Sequence, residues 1–138
     1  MDIANELYSG PFCSQSVEAA FDVVDGIPEG TAWRIGGFRL ISFRGLDGLM
    51  LLVDSFTRDD EKIFCNKNLM PDTRCEYLFL IKVAGRQNNT IQGVITCLRR
   101  GFKTEKHVFK SELELLRAMN GAIKRTALAD EEKKIHYV

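Results

Sequence analysis

The sequence predicts an α+β domain, with an antiparallel sheet of about five strands and two amphipathic helices packed on one face. Three observations lead there. Apolar residues recur at strand spacing in several short runs parted by Gly- and Asn-rich turns. A capping box opens an apolar run at helical spacing late in the chain. At 138 residues, 45% hydrophobic and 28% charged, the chain suits one domain with a real core and is too apolar to be disordered.

In order, residues 1–12 read as a short helix or irregular arm closed by Pro11. Ser14 or Ser16 can cap a first helix over 15–25, in which Val17, Ala20, Phe21 and Val24 recur at helical spacing, with Gly26 and Pro28 ending it. Residues 32–44 read as a strand with a bulge or a close backbone approach at Gly36-Gly37. Gly45–Gly48 reads as a turn into a second strand over 49–56. The pattern then dissolves. Asp59, Asp60 and Glu61 belong to a solvated loop, and a brief strand over 62–66 is conceivable. Strands follow over 76–84, central by its two-sided apolar character, and over 90–98, joined by a turn at Arg86–Asn89. Gly93 leaves room there for a large neighbour or marks a bulge. A charged edge strand over 104–109 leads into Ser111-Glu-Leu-Glu114 and a helix over 112–125 with Leu113, Leu116, Met119 and Ile123 on its apolar face. Residues 1–126 thus form the expected domain, and 127–138 a polar tail.

Charge is balanced overall but not evenly placed. Residues 1–74 carry 7 Lys/Arg against 12 Asp/Glu, and residues 75–126 carry 10 against 4. A basic half beside an acidic half explains this as well as an acidic partner does. No apolar run approaches a membrane span, and the N-terminus lacks the basic and apolar regions of a secretory signal, so a cytoplasmic protein is expected. Cys13, Cys65, Cys75 and Cys97 have no metal-ligand spacing with each other or with His107 and His136, so they read as ordinary thiols. No cofactor or metal is expected.

Two polar sets are the candidate binding residues. Arg86, Gln87, Asn88 and Gln92 put a forked cation and amides at a hairpin tip, which suits an anion, or simply pair across the strands. Arg99, Arg100, Lys103 and Lys106, with Phe102 among them, could hold nucleic acid by phosphate contacts and stacking, or serve as a solvated edge. The pI of 6.7 argues against a dedicated nucleic-acid binder. None of the nucleophile, phosphate-loop or zinc-protease motifs is present, and His107 alone would have to act as acid or base, so the expectation is not an enzyme.

The segments Phe79-Leu-Ile-Lys-Val83, Arg86-Gln-Asn-Asn-Thr90, Gln92-Gly93 and Phe109-Lys-Ser-Glu-Leu-Glu-Leu-Leu116 resemble a group of short uncharacterised bacterial proteins common in Gram-positive anaerobes. Those share an Arg-Gln-Asn-x-Thr/Ser-x-Gln-Gly hairpin followed by a Phe-x-Ser-x-Leu-Glu-Leu helix start. The resemblance spans residues 78–123, with Thr96-Cys97 where an aromatic residue is expected. It implies the local fold and a bacterial origin, and no activity. The function expected is a small non-catalytic regulatory or adaptor protein acting through a protein partner. A homodimer through a strand edge fits, as does an inhibitor derived from a phage or mobile element. The alternative is a nucleic-acid-binding module using the basic edge.

Overall fold

The computed structural model describes residues 15–36, 39–58, 75–87 and 90–136. The first described element corrects the sequence reading. Residues Gln15–Val24 form strand β1, not a helix. Val17, Ala19 and Phe21 face the core with no exposure, and Ser16 and Ala20 on the opposite face are also buried. A strand covered on both faces loses its alternation, so a helical spacing can be read into it by accident. Asp25 and Gly26 then take φ values of 52° and 78°, the positive pair that a type I′ hairpin turn requires. What reads as a helix stop is a hairpin.

Strand β2 (Ile27–Arg34) returns beside β1, and β3 (Leu40–Arg44) beside β2. The Gly36 region is therefore a turn between two strands, with φ of 84° at Gly36, rather than a bulge within one. The next expected strand, 49–56, is also corrected. Helix α1 (Gly45–Arg58) stands there, and it buries Leu49, Val53, Phe56 and Thr57, an i, i+4, i+7, i+8 stripe. The brief strand at 62–66 and Asp59–Glu61 lie outside the described residues.

From Tyr77 the expected order of elements holds, although β4 runs on through Arg86 and Gln87, the residues expected in the turn. Strand β4 (Tyr77–Gln87) is central, between β1 and β5 (Thr90–Arg99), and β6 (Glu105–Phe109) forms the edge. Helix α2 (Glu112–His136) starts at the expected cap, where the Glu114 amide donates to Ser111 Oγ at 3.2 Å. The Glu114 carboxylate accepts the Lys110 amide rather than that of Ser111. The helix buries Leu115, Met119 and Ala122, so Leu113 is turned outward, and it runs on to His136 through the segment expected to be a tail.

Among the described residues the result is α+β: six antiparallel strands in the order β3-β2-β1-β4-β5-β6, with α1 and α2 packed on one face. Phe21 is the hub of the core. Its ring stacks on Tyr77 at 5.0 Å and meets Phe79 and Phe43 edge-on at 4.8 and 6.0 Å.

The chain builds this unit twice. Each half is a three-stranded meander followed by a helix. Gly30 in β2 stands opposite Phe21 and Phe43, as Gly93 in β5 stands opposite Val83 and Phe109. Phe43 leads to Leu49, Val53 and Phe56 at the same spacing by which Phe109 leads to Leu115, Met119 and Ala122, and all eight are buried. The seam between the halves has the register of a two-fold axis. Val17 corresponds to Phe79 and pairs with Ile81, while Ala19 corresponds to Ile81 and pairs with Phe79. Glu18 and Leu80 face each other on the axis.

Candidate functional site

The polar residues singled out in the sequence do not converge. Arg86 and Gln87 end β4 and Gln92 lies near the start of β5, while Arg99 ends that strand. At the usual strand rise, Gln92 and Arg99 are about 23 Å apart. Asn88 lies outside the described residues. Arg100 and Lys103 are exposed beyond the end of β5, and Lys106 is exposed on β6 opposite Thr96.

Arg99 is engaged within the fold. Its guanidinium sits 4.9 Å from the Tyr77 ring and 4.4 Å from the Phe102 ring. Nη2 donates to Glu76 Oε1 at 2.9 Å and to Asp130 Oδ2 at 2.5 Å, and only 9% of the side chain is exposed. Burial alone would loosen its proton, but the hydrogen bonds to Asp130 and Glu76 outweigh that and hold the pKa above the ordinary value. Beneath it, Tyr77 Oη and Thr126 Oγ1 meet at 2.7 Å. These contacts tie the second half of α2 to the sheet. The cavity beside Arg99, ≈ 10 Å³, has room for a water and nothing larger. On its outer side Arg125 pairs with Glu105 at 2.8 Å, so the charges there are largely spent on one another.

His107 Nε2 lies 3.6 Å from Glu105 Oε1. Burial and the Glu105 charge, only partly opposed by the Arg125 cation, push the Cys97 thiol up to about 12. Such a thiol is a poor nucleophile. Among the described residues, no cluster of His, Cys, Asp and Glu stands close enough to hold a metal ion, and no helix is long and apolar enough to cross a membrane.

A different surface emerges between the helices. Once Leu49, Val53 and Phe56 turn inward, Leu51 must point away, and it is 72% exposed. On α2 the same logic leaves Leu113 54% exposed, because Leu115 takes the core position. Both line a groove of ≈ 630 Å³ whose other apolar walls are Met50 and Leu116. Asp47, Asp54, Arg58 and Glu112 rim it. Asp54 and Arg58 satisfy each other through two contacts of 2.9 Å, which leaves Asp47 and Glu112 as the carboxylates that set the sign of the rim.

No family model, curated protein or solved structure matches the chain. The geometry therefore carries the functional reading. Sequence reasoning missed the groove because it placed 49–56 in a strand and Leu113 in the core. The signal was the Leu49, Val53, Phe56 stripe, which repeats as Leu115, Met119, Ala122 after an equally placed phenylalanine.

Proposed function

We propose that the protein is a small non-catalytic regulatory or adaptor protein that works by protein–protein contact, made through the groove between α1 and α2. The observation that carries this reading is the joint exposure of Leu51 and Leu113 in one concave surface. Leucines scattered singly on a surface need no explanation, but large apolar side chains gathered in a groove mark a contact site. The groove's size lies within the range of surfaces that hold a ligand or a partner's side chains.

The other readings have less support. The edge strands β3 and β6 are five residues long and carry Arg44 and Lys106, which discourages addition of a further strand or a second copy. A phosphate-binding edge would have to spare Arg99 from Glu76 and Asp130, and Arg86 lies at the far end of the same strands.

The test compares capture by the immobilised full chain with two variants, Leu51→Asp/Leu113→Asp and Arg100→Glu/Lys103→Glu. A defined protein set lost only with the leucine pair, and free of nucleic acid, is the expected result. Retention of that set by the leucine variant, or salt-sensitive nucleic acid lost with the charge reversals, would refute the proposal.

A further inference from the structure

The groove's rim says which kind of partner it takes, an inference that rests on the contact site just proposed. Asp47 and Glu112 flank the apolar walls, and no ion pair engages either among the described residues. The cation on the rim, Arg58, is already bound to Asp54. A partner therefore meets leucine and methionine at the floor and negative charge at the margin.

Three occupants can be weighed on that basis. Nucleic acid is repelled by the acidic rim, where Arg58, the cation among the described lining residues, is already paired with Asp54. A second copy docked groove to groove would bring two rims carrying Asp47 and Glu112 together, and like charges brought together at an interface oppose docking. A segment with an apolar stripe and basic flanks satisfies both floor and rim. Two packed helices present a furrow into which a third helix fits along its own i, i+3, i+4 and i+7 positions.

We infer that the groove between α1 and α2 binds a basic amphipathic helix, whose apolar stripe covers Leu51, Leu113, Met50 and Leu116 and whose lysines or arginines face Asp47 and Glu112.

The experiment titrates full-length protein against a fluorescent helical peptide with leucines at those spacings and lysines on the flanks, alongside a twin in which glutamate replaces lysine. Anisotropy should show the lysine peptide binding at least about tenfold more tightly. Leu51→Asp/Leu113→Asp should abolish binding, and Asp47→Lys/Glu112→Lys should reverse the preference between the twins. Equal binding of both peptides, still lost with the leucine variant, would overturn the basic partner while leaving the groove as a contact site. Binding of neither peptide would overturn both readings. Self-association of the wild type that the leucine variant removes would assign the groove to a second copy and overturn the inference as well.

Discussion

Gly93→Ala is the sharpest test of how tightly β4 packs against β5. An added Cβ would lie 1.8 Å from the Lys82 carbonyl oxygen, 2.8 Å from its carbonyl carbon and 3.0 Å from Phe109 Cζ. The closest approach falls about 1.6 Å short of ordinary contact at 3.4 Å. A long side chain could swing aside, but a carbonyl in the central ladder cannot move without parting β4 from β5. Overpacking of a core typically costs 1–3 kcal/mol, and a rigid backbone obstacle puts this case at about 3 kcal/mol or more. Urea unfolding followed by circular dichroism should show the midpoint falling by about 1.5 M, and a thermal melt should fall by about 10 °C. Phe109→Leu should not rescue the variant, because the nearest obstacle is backbone. Gly85→Ala is the matched control. Nothing lies within 4 Å of its added Cβ, so it should be neutral or slightly stabilising through the unfolded chain. A loss below about 1 kcal/mol for Gly93→Ala would show that the two strands are not packed as tightly as argued.

Arg99→Met keeps the bulk between Tyr77 and Phe102 but removes both ion pairs. It should cost about 1–2 kcal/mol and speed hydrogen exchange over residues 126–131, and unchanged exchange there would mean that the arginine does not hold α2 down. Cys97 should resist iodoacetamide at pH 8 in the folded protein and react in denaturant. With a pKa near 12, about one thiol in ten thousand is ionised. Peptide mapping that found Cys97 labelled as fast as half-buried Cys75 would contradict its burial. Burial raises the Glu18 carboxyl above 4.5, so the folded chain holds that proton more tightly than the unfolded one. Stability therefore falls as pH rises from the unfolded value through the folded one, and Glu18→Gln should be more stable than wild type near pH 7, with the advantage shrinking in acid. An equal difference at both pH values would rule out titration of Glu18 as the cause.

The second half was legible in the sequence and the first was not, for physical reasons. Residues 76–124 carry punctuation that fixes the order of elements: a two-sided apolar strand, a polar turn, a glycine and a capping box. In the first half each signal had a competitor. Val24-Asp25-Gly26-Ile27 serves equally as a helix stop and as a two-residue hairpin, and only the pairing of β1 with β2 decides between them. Leu49-Met-Leu-Leu-Val53 is apolar at both periods, so its helix is revealed by what it packs against rather than by its own residues. The groove was illegible for the same reason. An outward leucine has meaning only once the inward one is known, and the helix's own spacing does not tell Leu113 from Leu115; only the repeat of the step from Phe43 to Leu49 in that from Phe109 to Leu115 does. The candidate residues Arg99, Arg100, Lys103 and Lys106 did fall near one another in sequence, yet the fold spends Arg99 on its own helix.

The two-fold seam between β1 and β4 bears on how the chain folds. Within each half every strand pairs with its sequence neighbour, so the meander and its helix close only short loops. The seam is the long-range step, joining two pieces whose hydrogen bonds are locally complete except along their edges, of which β1 and β4 meet each other. Folding should thus proceed as two fast local collapses and one slower docking event. Because the docking edges match each other's register, a half from another molecule can stand in for the chain's own. Refolding at high concentration should then yield exchanged dimers whose sheets are indistinguishable from the monomer's, and dilution before folding should suppress them.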